Sequence, residues 1–402
     1  MKKFISLLII TLGLLIPIPI FAEQPNINAE HAIAVEASTG KILYEKSSNQ
    51  LAGIASVTKI LTIYLTYQAI DQGKLSWDDM VTISDYPYEL TQNSIISNPN
   101  LDKRLYSVRD LVNISMVSSA NSAAIALAEK IGGSEPKFVN LMKKKLEDWG
   151  IKDYKIVNAS GLNNSFLGDH IYPGSGKEDE NYLSAKSVAI IARHLINDYP
   201  QILTISSQSH LNFDNQNLES SNKMLPGMTL ARQGVDGLKT GTTDIAGQTF
   251  VSTSKIGNFR VITVILKAGN TENDENARFT ETNKLLDYCY NQYQVKILPA
   301  NSIVTKATVK NGMRKTIKLK TKDELYLVIK KNQKIHYLTQ IFGKQEQLKA
   351  PIKKNKKVGS ISLKESLSQK KEYLSKKPTV YLYPTQQVNN DFISLIKSLL
   401  TS

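Results

Sequence analysis

Hydrophobic and polar residues change rhythm three times along this chain. From residue 27 to about 290, strand-like patterns at the two ends bracket helical patterns in the middle. His31 to Glu36 and Lys41 to Glu45 read as strands about a Thr39-Gly40 turn, and Gly247 to Ser254 and Phe259 to Lys267 as a second pair about Lys255-Ile-Gly-Asn258. Between them run predicted helices: Ser56 to Asp71, stopped by Gly73; Val108 to Val117; and Ser122 to Ile131, stopped by Gly132-Gly133. Ser107-Val-Arg-Asp110 predicts a capping box in which Asp replaces the preferred Glu or Gln. Strands at both ends with helices between them predict one sheet closed by the two termini, an α/β (α+β) three-layer domain.

From 296 to about 378 the rhythm becomes that of short strands. Ile317-Lys-Leu-Lys320, Leu325-Tyr-Leu-Val-Ile329 and Tyr337-Leu-Thr-Gln-Ile341, separated by lysine-rich turns, predict a small all-β domain over 296–380. The last stretch, Asn389 to Ser402, sets Phe392, Ile393, Leu395, Ile396, Leu399 and Leu400 against Ser394, Lys397 and Ser398. That is an amphipathic helix too short to span a bilayer, suited to its interface or to docking on its own domain. At the other end, Met1-Lys-Lys3 precedes an apolar run from Phe4 to Phe21 and then Ala22. This pattern predicts a secretory signal peptide over residues 1–22, with an uncleaved anchor as the alternative, and either places the rest outside the cytoplasm.

Composition narrows the chemistry. With 402 residues, 41% apolar and 21% charged, the chain has an ordinary globular make-up, which excludes wholesale disorder and a polytopic membrane protein. A single cysteine, Cys289, excludes an internal disulfide framework and a cysteine metal cluster. His31, His170, His194, His210 and His336 are scattered with no H-E-x-x-H, so neither a metal nor another cofactor is expected. The formal charge of +14 is concentrated: residues 296–378 hold 22 Lys+Arg against 5 Asp+Glu, a surplus of 17, and the remainder sums to −3. For an exported chain that surplus points away from nucleic acid and toward an anionic membrane surface or wall polymer, unless the lysines merely keep the module soluble.

The candidate chemistry is a serine with a lysine. Ser56-Val-Thr-Lys59 opens a predicted helix, where a spacing of three brings both side chains to one face and a neutral amine can take the serine proton. S-x-x-K recurs at Ser38, Ser134, Ser220, Ser252, Ser368 and Ser394, so the motif means little alone. What distinguishes Ser56 is order: Ser119-Ala-Asn121 follows in a break between two helices, and Lys239-Thr-Gly241, which occurs once, stands where an edge strand should precede the second hairpin. Each residue type has a physical use. Ser56 attacks a carbonyl; Lys59, depressed by burial and by Lys239, acts as base; Ser119 relays a proton; and Asn121 orients Lys59. Gly241 lets substrate backbone lie on the strand, the N–H groups of Ser56 and Thr242 offer an oxyanion hole, and Lys239, Thr240 and Thr242 make a cationic, hydroxyl-rich end for a carboxylate.

S-x-x-K, S-x-N and K-T-G in this order are the signature of penicillin-binding proteins and serine β-lactamases. With Asn158-Ala-Ser-Gly-Leu162 and Val235-Asp-Gly-Leu-Lys-Thr-Gly-Thr242, residues 27–290 resemble a D-alanyl-D-alanine carboxypeptidase of the low-molecular-weight penicillin-binding type, close to its streptococcal members. The resemblance extends through the basic β domain and the tail. It implies a penicillin-binding/β-lactamase-like transpeptidase fold, removal of the terminal D-Ala from peptidoglycan pentapeptide stems, and acylation by β-lactams. It implies Ser56 as nucleophile, Lys59 as proton acceptor, Ser119 as second serine and Lys239 as substrate binder, and it sets Arg278 near the substrate carboxylate, where a helix-capping surface arginine is the alternative. Two other functions stay open on sequence: a class A-like β-lactamase, and a non-catalytic wall-binding or β-lactam-sensing protein. A class A enzyme needs a loop glutamate, and Glu178 and Glu180 read as part of a solvated Lys-Glu-Asp-Glu run.

Overall fold

The computed structural model describes residues 24–269, 274–364, 372–393 and 396. The predicted signal peptide and most of the predicted C-terminal helix lie outside the described residues.

The first domain is built on a five-stranded antiparallel sheet made by the two ends of the segment. The strands are β1 (Ala29–Glu36), β2 (Ile42–Lys46), β3 (Val235–Thr243), β4 (Gly247–Ile256) and β5 (Phe259–Ala268), in the order β2-β1-β5-β4-β3. Both faces are covered, so the inner strands are buried at most positions rather than at alternate ones, with Thr and Ser among the apolar residues of β4. Ile33 and Val35 with Ile262, Val264 and Leu266 face one core, while Ala32 and Ala34 with Val261 and Ile265 face the other. The period of two thus sorts one hydrophobic run between two layers.

The first core is helical. It holds α1 (Lys59–Asp71), α2 (Val108–Val117), α3 (Asn121–Gly132), α4 (Glu135–Asp148) and α5 (Ala185–Asp198). Helix α1 is buried from Lys59 to Tyr67 without a break, as expected of a helix surrounded by others. Helix α2 starts with the predicted capping box: Ser107 Oγ accepts from Asp110 N at 3.1 Å, and Asp110 Oδ2 accepts from Ser107 N at 3.4 Å. Asp thus serves in place of Glu at this cap. The second core packs α6 (Ala277–Gln292) on the opposite face of the sheet through Phe279, Leu285 and Leu286. Cys289 lies buried there, its thiol pushed up by desolvation and inert, a small core hydrophobe.

Helix α6 runs directly into β6 (Tyr293–Leu298) of the second domain. There β6 pairs with β9 (Leu325–Lys330), and a six-stranded sheet contains β7 (Ile303–Lys310), β8 (Thr316–Thr321), β10 (Tyr337–Ile341), β11 (Gln347–Lys349), β12 (Gly359–Leu363) and β13 (Thr379–Pro384). Ile317 and Leu319 point into its core while Lys318 and Lys320 do not, so alternation here separates apolar interior from cationic surface. The two domains meet at β2. Tyr293 Oη donates to Leu43 O at 3.1 Å, Ile42 N donates to Glu372 O at 2.8 Å, and Lys41 is ion-paired with Glu372.

Candidate active site

Ser56 lies at the junction of the helical layer and the sheet, in a 3-10 turn (Ala55–Thr58) that continues into α1. The sequence pattern predicts an α-helix from Ser56; the tighter turn eclipses positions three apart and stacks Ser56 directly over Lys59. Lys59 has no exposed surface. Its Nζ is 2.9 Å from Ser56 Oγ, 2.7 Å from Asn121 Oδ1 and 2.7 Å from the carbonyl of Ser160. Burial first, and the ammonium of Lys239 second, hold the Lys59 amine well below lysine's usual range.

Ser119 occupies the left-handed region at φ +64° between α2 and α3, which lets the chain reverse there without a turn of helix. Asn121 opens α3 and is anchored by Ser97, whose carbonyl accepts from Asn121 N at 3.1 Å and from Nδ2 at 3.0 Å. The amide is thereby oriented with its oxygen toward Lys59.

Strand β3 forms the facing wall as the edge of the sheet. Lys239 is almost wholly buried, donates to Thr240 O at 2.9 Å, and is lowered to about 7 by burial and then by Arg278. The Thr240 hydroxyl is 2.6 Å from Ser221 Oγ. Arg278, in the first turn of α6, is buried, and desolvation lowers it to about 10. It donates from Nη1 to Gly241 O at 2.8 Å, from Nη2 to Thr242 Oγ1 at 2.7 Å, and from Nε to Gln248 Oε1 at 3.1 Å. It therefore ties the end of the K-T-G strand rather than capping a surface helix.

Gly241 is required by the wall behind the strand. A Cβ there would stand 2.5 Å from Thr249 Oγ1 on the paired strand, 3.0 Å from Ser56 N and 3.1 Å from Ala55 Cβ. The K-T-G strand is thus pressed against the Ser56 turn. Gly161 does the same from the other side, at φ +84° with a Cβ position 1.9 Å from Ala55 O.

Sequence reasoning missed the residues that hold these parts. Glu180 is not in a solvated run: it is 1% exposed, and its oxygens accept from Thr243 Oγ1 at 2.7 Å and Asn163 Nδ2 at 3.2 Å. The charge run ends one residue earlier, because Glu180 turns inward where the loop rejoins the sheet. Asn181 and Glu135 are also buried. Glu135 accepts from Ala159 N at 2.8 Å and from Tyr86 Oη at 3.0 Å, and burial raises it to about 7. Among the described residues no cluster could hold a metal ion.

A helical layer over an antiparallel sheet, with a buried lysine hydrogen-bonded to Ser56 and Asn121 and a K-T-G edge strand, defines an acyl-transferring serine hydrolase of the penicillin-binding and β-lactamase kind. Residues 19–270 match the family model described as D-alanyl-D-alanine carboxypeptidase, and residues 293–388 that of the penicillin-binding protein 5 C-terminal domain; the chain belongs to this carboxypeptidase family. It is 31% identical over 375 residues to the D-alanyl-D-alanine carboxypeptidase DacF of Bacillus subtilis, covering 90% of each chain. Among solved structures it is similar to a peptidoglycan synthesis regulatory factor (PBP3) from Streptococcus pneumoniae, with TM-score 0.81, 42% identity, and 91% of this chain and 100% of that one covered. Penicillin-binding protein D2 of Listeria monocytogenes in its ampicillin-bound form matches with TM-score 0.54 and 31% identity over 66% of this chain and 99% of that chain. The fold and family expected from the motifs are therefore the fold and family found, and a non-catalytic role is set aside.

Proposed function

We propose that Ser56, Lys59, Ser119 and Asn121 carry out acyl transfer from a peptide ending in D-Ala-D-Ala, with Lys239, Thr240, Gly241, Thr242 and Arg278 forming the wall that receives it. The observation that carries the reading is the environment of Lys59 Nζ. A neutral amine has two N–H groups, which Asn121 Oδ1 and Ser160 O accept, and one lone pair, which then faces Ser56 Oγ at 2.9 Å. As Oγ bonds to the carbonyl carbon of the penultimate D-Ala, its proton passes to Lys59. The N–H groups of Ser56 and Thr242 receive the oxyanion. Collapse breaks the peptide bond, Ser119 relays a proton from Lys59 to the departing amine, and D-Ala leaves. Water then cleaves the ester, returning the acid and free Ser56.

The same attack opens a β-lactam ring but leaves no small amine to depart. Slow release of that adduct is expected, since Glu180, the buried carboxylate of the 158–184 loop, already has both oxygens engaged by side chains. This disfavours the class A-like β-lactamase reading.

Mass spectrometry tests the proposal. Incubation with a pentapeptide should release D-Ala, and incubation with a penicillin should add its mass at Ser56; Ser56→Ala should show neither. Rapid repeated penicillin hydrolysis by the wild-type protein would sink the assignment.

The lysine-rich second domain supports a further reading of location. Residues 296–380, with the terminal segment beyond them, are proposed to rest on an anionic phospholipid or wall-polymer surface outside the cytoplasmic membrane, following export directed by residues 1–22. Among the described residues no helix is long and apolar enough to cross a membrane.

A further inference from the structure

Three segments must keep their spacing for the site to work: the Ser56 turn, the Asn158–Leu162 loop whose Ser160 carbonyl faces Lys59, and the K-T-G strand. Two consecutive residues, both outside the motifs, touch all three. Asn181 is fully buried. Its carbonyl accepts from Ile54 N at 3.1 Å, and its Nδ2 donates to Thr58 Oγ1 at 3.0 Å and to Asn158 O at 2.9 Å. Its Oδ1 accepts from Val157 N at 2.7 Å. The Ser56 turn is thus held at both ends, and the loop is stitched to it.

Glu180 points the other way, as the preceding residue of an extended segment does. It accepts from Thr243 Oγ1, the residue directly after Thr242, and the same Thr243 oxygen accepts from Ala246 N at 3.0 Å, closing the turn from β3 to β4. A carboxylate this deeply buried is costly unless its oxygens are satisfied, and both are. Burial raises its pKa, with the nearby Asp244 adding to the effect and the two hydrogen bonds opposing it.

We propose that Glu180-Asn181 is a positioning clamp that sets the gap between the Ser56 turn and the K-T-G strand, with the Glu180–Thr243 hydrogen bond fixing where the Thr242 N–H sits relative to Ser56 Oγ. The proposal rests on the reading of Ser56 as nucleophile. Neither residue touches the reacting atoms. The clamp acts on the acylation step rather than on first encounter with the ligand, because it sets the alignment of nucleophile and oxyanion donor.

The test is stopped-flow acylation of the full chain by a fluorescent penicillin, resolving the precovalent dissociation constant from the acylation rate constant, beside thermal unfolding. Thr243→Val removes the hydroxyl and Thr243→Ser keeps it, both at a half-buried side chain with little folding risk. Glu180→Gln offers one acceptor where two donors converge. Thr243→Val and Glu180→Gln should acylate about tenfold or more slowly at saturation, with the dissociation constant moved less than about threefold and Thr243→Ser within about twofold of wild type. If Thr243→Val and Glu180→Gln acylate like wild type, or if Thr243→Ser loses as much as Thr243→Val, the clamp is overturned while the Ser56 reading stands. A wild-type protein that acquires no adduct at Ser56 overturns both.

Discussion

Lys59 and Lys239 divide one task between two amines by environment alone. Burial lowers both, and each has a cationic neighbour that adds to the effect, Lys239 beside Lys59 and Arg278 beside Lys239. Acylation should therefore fall at acid pH, where Lys59 gains a proton, and fall again above about 7, where Lys239 loses the charge that attracts a carboxylate and depresses Lys59. Arg278 is the second cause, after burial, of the low Lys239 value. Arg278→Gln should thus move the alkaline limb of the penicillin acylation profile to higher pH as well as lowering the rate; an unmoved limb would detach Lys239 from that limb. Glu135 offers a stability test. Its folded value is raised to about 7 from an ordinary 4.5, so the folded state holds the proton more tightly. Its contribution is fully present below 4.5 and is lost as pH rises through about 7. Urea unfolding of Glu135→Gln across that window should show a flatter decline than wild type.

At the scale of elements, the site is a matter of how closely β3 approaches the turn that begins α1. Gly241 faces Thr249 across the pair and the Ser56 backbone across the gap, so the Cβ of Gly241→Ala must displace the Thr249 hydroxyl and push strand or turn aside. Acylation should drop by about a hundredfold, the order expected of a displaced reactive pair. Far-UV circular dichroism should stay native, and a fully active variant would show that the gap tolerates the shift. The cap of α2 is a separate device remote from chemistry. Ser107→Ala should cost about 1 kcal/mol in unfolding free energy with acylation unchanged. Both features rest on residues that the chain announces: a Gly in K-T-G and a Ser three residues before an Asp. The clamp has no such announcement, because Glu180 follows Lys177, Glu178 and Asp179 and shares their composition, though not their burial.

Across the whole molecule, catalysis and charge are kept apart. The domain that holds Ser56 is close to neutral, whereas the surplus of 17 positive charges falls in 296–378, in turns such as 353–357 and at exposed strand positions such as Lys306 and Lys318. Binding to anionic lipid vesicles should weaken steeply between low and physiological salt and persist in Ser56→Ala; salt-insensitive binding would leave an apolar contact as the anchor. The sequence by itself determined the order of the motifs, the two hairpins, the capping box, the change to a basic β domain and hence the family, because each rests on a local period or on residue types at fixed spacing. Tertiary structure alone decided that Glu180 and Asn181 are buried, that Arg278 grips the K-T-G strand and that Gly241 is needed for the approach of Ser56. Those facts arise where segments far apart in the chain come into contact, and no local pattern encodes the distance between them.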